Sequence, residues 1–510
     1  MSDDLIRRLV KADNHIQKIV LEYGLDCYPQ EFDVIPANKM LEIMAYRLPV
    51  NYSHWSFGRD FERERTQYEY TGGIPYEVVL NANPSRAFLM RTNPYPIQVL
   101  VMAHVYGHND FMKNNIHFRN TRRDMLTSAS EAAARFRKYE EEYGVEEVEK
   151  LIDAAHSIQW HIEEDLFPTD GSATGEKSKA PEKAGSSKKD SAYGDILDWQ
   201  AGLQVKTHDE RRSEERSLKR RIPAEPSADL LSVIMRHSPR GFDEWELDIL
   251  QSIHEQALYF NPQRKTKTMN EGWASFWHTH IMHRLFQDGY LSPEEHGFYN
   301  LYNSRVLATN PFGLNPYLLG IKTFEDIEDR WDKGLFGPEW EKREDPSKWD
   351  IDEHLAKGRE KIFAVRRTHM DWFFLDEFLN HRIVDKAELY LYGSRLREGM
   401  EEFVVEETEW KTIKRLLVRS MAHSGLPLIK AVDGDYGGRR ELCLKHLYEG
   451  LPLDEDYARN TLKHVHYLWG NTVHLETIET EGSQDNRVEW SYDGRGFSKV
   501  SLGLAGASGD

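Results

Sequence analysis

Leu5, Leu9, Ile16 and Val20 recur at helical spacing, which predicts a helix over residues 3 to 24 closed by Gly24. The same period predicts helices at 38–46, from Pro94 or Pro96 to Met112, at 127–143 and at 145–165. Between them Tyr76-Glu-Val-Val-Leu80 reads as a strand, and Asn83-Pro84 and Asn93-Pro94 as turns. Helical periodicity resumes at 228–237, 243–260, 270–287, 293–306, 355–363 and 371–380, with strands scarce between residues 85 and 380. Beyond residue 406 the pattern alternates: helix 411–422, strands 427–432 and 440–447, helix 454–468, strands 473–477 and 487–492. The chain is therefore expected to be mainly α with a minor α+β part. No internal repeat is visible.

These changes of pattern divide the chain. Residues 1–168 form a first part of a helical core, and 222–405 a second part. Between them, 169–221 is Gly/Ser/Lys-rich without apolar periodicity, a composition that cannot offset its ordering entropy, and is expected to be disordered or charged. Residues 406–497 form a small α+β domain, followed by an expected disordered tail at 498–510.

Composition narrows the function classes. A net charge of −19 argues against nucleic acid and anionic membrane surfaces, which reward basic proteins. Cys27 and Cys443 are too few for a disulfide framework or a cysteine-rich zinc site. The start, Met-Ser-Asp-Asp-Leu-Ile-Arg-Arg, has no apolar signal region, and no run approaches the ~18 apolar residues of a membrane span. A soluble cytoplasmic protein is expected.

Chemistry concentrates in two stretches. In Met102-Ala-His-Val-Tyr-Gly-His108, His104 and His108 lie four apart, one above the other on a helix. Ile97, Leu100, Val101 and Phe111 share that face, so both imidazoles enter an apolar interior and need hydrogen bonds, charges or a metal. In Met269-Asn-Glu-Gly-Trp-Ala-Ser-Phe-Trp-His278, Glu271 sits on a helix that is apolar over most of its circumference. With Glu271 at 0° and about 100° per residue, Ser275 falls at ~40° and His278 at ~340°. His104, His108 and Glu271, with His278 as a fourth ligand or a supporting group, form a set that Zn²⁺ accepts. The alternative is structural: hydrogen-bonded core histidines and a salt-bridged glutamate. Where His-Glu-x-x-His sites carry their general base, this chain has Val105. Glu77 is the best substitute base and Asp110 the second.

Several blocks resemble the SpoVR family, named for stage V sporulation protein R. They are Asn51-Tyr-Ser-His-Trp-Ser-Phe-Gly58, Tyr76-Glu-Val-Val-Leu-Asn81 with Asn83-Pro84, and Met102 to His108 through Phe111-Met-Lys-Asn-Asn115. Met269 to His278, Asn315-Pro-Tyr-Leu-Leu-Gly320 and Leu462-Lys-His-Val-His466 follow in order. The resemblance implies a part in forming the spore cortex or in stress responses. It also implies company with a PrkA-type serine protein kinase and a von Willebrand A-like protein, but it implies no catalytic residues. Asn270-Glu-Gly-Trp-Ala274 is further similar to the third-ligand helix of gluzincin peptidases, from which Val105 departs. The facing histidine pair and the buried Glu271 lead instead to the expectation of a helical zincin-like core that binds Zn²⁺ and hydrolyses an amide in a peptide or cell-wall precursor. The alternative is a non-catalytic adaptor of the kinase and the von Willebrand A-like protein.

Overall fold

A computed structural model describes residues 3–71, 77–163, 222–310, 313–337, 355–397, 400–481 and 484–504. Sixteen α-helices and ten strands are found among them. The chain opens with α1 (Asp3–Glu22), β1 (Gln30–Ile35), α2 (Ala37–Tyr46), α3 (Trp55–Thr71), β2 (Glu77–Leu80) and β3 (Ser85–Met90). Then come α4 (Tyr95–Asn114), α5 (Met125–Tyr143), α6 (Val145–Ile158), α7 (Leu230–His237) and α8 (Glu244–Lys265). Next are α9 (Lys267–Gln287), α10 (Pro293–Val306), α11 (Pro316–Asp332), α12 (Gly358–Thr368), α13 (Asp371–Phe378) and α14 (His381–Lys386). The hairpin β4 (Leu391–Arg397) and β5 (Met400–Glu407) leads to α15 (Trp410–Met421), β6 (Ile429–Tyr436) and β7 (Glu441–His446). The chain closes with α16 (Glu455–Trp469), β8 (Val473–Glu481), β9 (Gln484–Tyr492) and β10 (Phe497–Leu504).

Two compact units result: residues 1–156 with 243–427, and 157–242 with 428–510. At the centre of the first lies α4, buried continuously from Tyr95 to Met112. Pro94 and Pro96 start it, since an unpaired first-turn nitrogen and a fixed φ suit proline there. Against α4 packs α9, whose Trp273, Phe276, Trp277 and Met282 are fully buried. The start of α9 is held from outside the helix: Asp371 accepts the Thr268 and Met269 N–H groups at 2.8 and 2.9 Å. A three-stranded sheet, order β1-β3-β2, flanks this core, with β1 parallel and β2 antiparallel to β3. The second unit carries a five-stranded sheet, order β10-β9-β8-β7-β6, and the helices α7 and α16.

The mainly α architecture with a small α+β part agrees with the sequence expectation. Three details differ. Trp410–Met421, expected in the C-terminal domain, is α15 of the first unit, where Ile413 is buried in the main core. Part of the expected disordered tail is β10, because Phe497 to Leu504 finds a partner edge along β9. The helix at 316–332, α11, starts where Asn315-Pro-Tyr317 alone would read as a turn; here Asn315 caps it by accepting from the Tyr317 and Leu318 N–H groups, and Pro316 begins it. The expected disorder of 169–221 lies outside the described residues. Among the described residues, no helix is long and apolar enough to cross a membrane.

Candidate metal centre

Close backbone packing brings the ligand-bearing elements together. A Cβ on Gly107 of α4 would stand 2.5 Å from the Ala274 Cα of α9, and one on Gly272 would stand 2.3 Å from the Gly320 Cα of α11. Glycine lets the three helix axes approach, and this approach sets Glu271 opposite the histidine pair. From the other side, β2 presents Glu77 at its first residue.

The four side chains converge. His104 Nε2 lies 3.2 Å from Glu77 Oε1 and 3.4 Å from Glu271 Oε2. His108 Nε2 lies 3.8 Å from Glu77 Oε1 and 3.4 Å from Glu271 Oε2. All four ligand atoms fall within 4.8 Å of one another. Atoms ~2.0–2.1 Å from a common tetrahedral centre stand about 3.3–3.4 Å apart, and the four imidazole–carboxylate distances of 3.2–3.8 Å lie close to that. This group, Glu77, His104, His108 and Glu271, could hold a metal ion.

The far sides of the rings fix which nitrogen faces the centre. Asn303 Oδ1 can only accept, so the His278 Nε2–H donates to it at 2.9 Å, leaving the His278 Nδ1 as an acceptor. His104 Nδ1–H donates to that nitrogen at 2.8 Å, which turns the His104 Nε2 lone pair toward Glu77 and Glu271. His108 Nδ1–H donates to Asn270 Oδ1 at 2.9 Å, with the same result for its Nε2. Burial, then the neighbouring His104, lowers the His278 pKa to about 3, so His278 remains a neutral acceptor. Orienting partners of this kind are a regular feature of metal-binding histidines. Replacing Asn270 or Asn303 by alanine is therefore expected to weaken metal affinity ~10–100-fold while the fold is retained, read by competition with a chelating indicator.

The two carboxylates also favour a proton on the facing imidazoles. Burial alone would lower the His108 pKa, but the Glu271 and Glu77 carboxylates override it and push it up to about 10. Burial would raise both carboxyls. Facing His104 and His108, Glu77 is nonetheless held well below the usual range, and Glu271, facing His108 first, is held at about 2. The protonated imidazole thus stabilises the ion-free fold fully below the ordinary histidine pKa, and that stabilisation is lost as pH rises through about 10. Since a metal needs the neutral ring, uptake near pH 7 should release about one proton, and affinity should fall as pH falls. Calorimetry in two buffers of different ionisation enthalpy measures this, and identical heats would contradict it.

The sequence candidates separate clearly. Of the proposed metal ligands, His104, His108 and Glu271 meet. His278 does not join them, because both its nitrogens are engaged, one by His104 and one by Asn303. Glu77, expected as a base, stands at ligand distance. Asp110 is elsewhere: buried, it accepts from the Asp26 N–H, Trp273 Nε1 and Arg366 Nη1 at 2.7, 2.8 and 2.9 Å. It is a structural clasp of α4. His54, in the aromatic loop, bonds Ser56 at 2.7 Å and is not part of the centre.

Three residues of the centre were not expected. Asn270 and Asn303 orient the rings. Tyr317 stacks on His104 with centroids 6.0 Å apart, and its phenol bonds Glu271. The charge of Glu271, then burial, holds the Tyr317 pKa well above its ordinary value, so the phenol stays protonated. A cavity of about 390 Å³ opens beside the cluster, lined in part by Glu77, His104, His278, Arg305 and Tyr317.

Comparison with known proteins agrees on the kind of protein. A family model described as SpoVR like protein matches residues 3–426, and one described as SpoVR-like C-terminal domain matches 427–480. Among curated proteins, the "Uncharacterized protein YcgB" of Escherichia coli (strain K12) is 31% identical over 499 residues, covering 92% of this chain and 91% of that protein. No solved structure matches the chain. Every residue of the centre falls within the first match, and the chain belongs to the SpoVR family.

Proposed function

We propose that this SpoVR-family protein is a zinc-dependent amide hydrolase acting on a peptide or cell-wall precursor, in the service of spore-cortex formation or a stress response. The observation that carries the reading is the set of four converging ligand atoms within 4.8 Å of one another, with both imidazoles oriented from behind. His104, His108 and Glu271 would hold the ion, whose charge would polarise the scissile carbonyl and acidify water. Glu77 lines the cavity and comes from a strand separate from the helices bearing the other three ligands, which suits it as the base. It would accept a proton from the attacking water as the C–O bond forms, then give it to the nitrogen as the C–N bond breaks. Tyr317 would hold the Glu271 carboxylate in place through its phenol.

Glu77→Gln is the test. The reading expects the variant to keep its metal while cleavage of a peptide or muropeptide library falls ~10²–10⁴-fold. Loss of metal without any cleavage by the native protein would instead favour a closed four-ligand structural site. That second reading draws on the fourth ligand-distance group, Glu77. It would make the chain a non-catalytic adaptor for a PrkA-type kinase and a von Willebrand A-like protein, and pull-down of those two by the Glu77→Gln variant would support it.

A further inference from the structure

The cavity beside the centre carries a charge with nothing set against it among the described residues. Arg305, near the end of α10, lines the same cavity as Glu77 and His104. Its side chain is exposed, and its guanidinium forms no ion pair or hydrogen bond with any described residue. The surrounding wall is largely apolar, with Leu100, Val101, Val306 and Leu314. The carboxylate in that wall, Glu77, is already engaged by both imidazoles. Charge bookkeeping then decides the sign. Two glutamates neutralise a divalent ion, so the loaded centre contributes no net charge and Arg305 leaves the cavity positive. A guanidinium in such a setting presents a fork that matches carboxylate and phosphate oxygens.

We propose that Arg305 is the recognition cation of this cavity, and that the molecule processed at the centre carries an oxyanion, a carboxylate or a phosphate, beyond its scissile group. The proposal rests on the metal-centre reading for its chemistry, whereas the anion site itself does not need the ion. Arg305 is a positioning residue, and its loss affects capture of the anionic end rather than assembly of the centre.

The test uses two probes on the full chain, native and Arg305→Met. In cobalt-substituted protein, acetohydroxamate and the monohydroxamate of succinate are titrated by visible absorption. In metal-free protein, succinate and methylphosphonate are titrated by calorimetry, which separates carboxylate from phosphate recognition. The native protein should bind the carboxylate- or phosphonate-bearing probe at least about tenfold more tightly than its neutral counterpart. The Arg305→Met variant should lose that margin and bind acetohydroxamate within about twofold of native. A margin absent in the native protein, or one that survives Arg305→Met, overturns the proposal. Arg305-dependent succinate binding with no cobalt response to either hydroxamate would keep the anion site and sink the metal reading instead.

Discussion

Glutamine at position 271 removes the metal. The change is isosteric, so the helix and its contacts remain, but the ion loses the anionic one of its three proposed protein ligands, His104, His108 and Glu271. A zinc site with an open position has only three protein ligands to lose, so removing one directly outweighs replacing a neighbouring carboxylate that serves as base. Metal content should fall from about one equivalent to under a tenth, against the ~10–100-fold weakening expected for the orienting asparagines. His104→Ala should do the same. If the cluster were only a salt-bridge network, Glu271→Gln would strip His108 of its nearest charge partner and lower stability by ~3–5 kcal/mol. Metal content would then be negligible in native and variant alike. Elemental analysis and thermal unfolding together separate the two cases.

The second large effect concerns the approach of α9 to α11. A Cβ on Gly272 meets Gly320 Cα at 2.3 Å and its carbonyl carbon at 2.4 Å, and backbone cannot rotate away as a side chain can. Gly272→Ala should therefore push the helices apart and destabilise the protein by ~1–3 kcal/mol or more, with a lowered unfolding temperature. Gly272 follows Glu271 directly, so the same displacement should weaken metal binding, since productive geometry tolerates only about 0.5 Å of error. Gly58→Ala is the control: no atom lies within 4 Å of its added Cβ, and within α3 the change should be neutral or stabilising by ~0.5–1 kcal/mol. Equal unfolding midpoints for the two variants would contradict the packing account.

What the sequence revealed follows from range. The i, i+4 spacing places His104 and His108 on one helical face without any tertiary information, and the apolar surroundings of Glu271 announce its burial. The same helical wheel left His278 open between a fourth ligand and a supporting group. It puts His278 within about 20° of Glu271, but seven residues also separate them by about 10 Å along the axis. That rise carries the ring beyond the ligand atoms and behind His104. Asp110, two residues past His108, lies roughly 200° around α4, which the wheel does show and which excludes it from the histidine face. Strands β1 and β3 escaped because their pairing is parallel and joins residues 30–35 to 85–90 across a long connection. Without that sheet there was no means to see that β2 aims Glu77 at the ligand atoms rather than at solvent. Tyr317 escaped with α11, whose first turn reads as Asn-Pro punctuation until Asn315 is seen to cap it.

X-ray absorption at the metal edge, on native protein purified without chelator, tests the central claim most directly. The account predicts about one zinc equivalent with nitrogen and oxygen neighbours at ~2.0–2.1 Å, including the outer-shell signature of two imidazoles. Less than about a tenth of an equivalent, or an environment lacking imidazole, would contradict it.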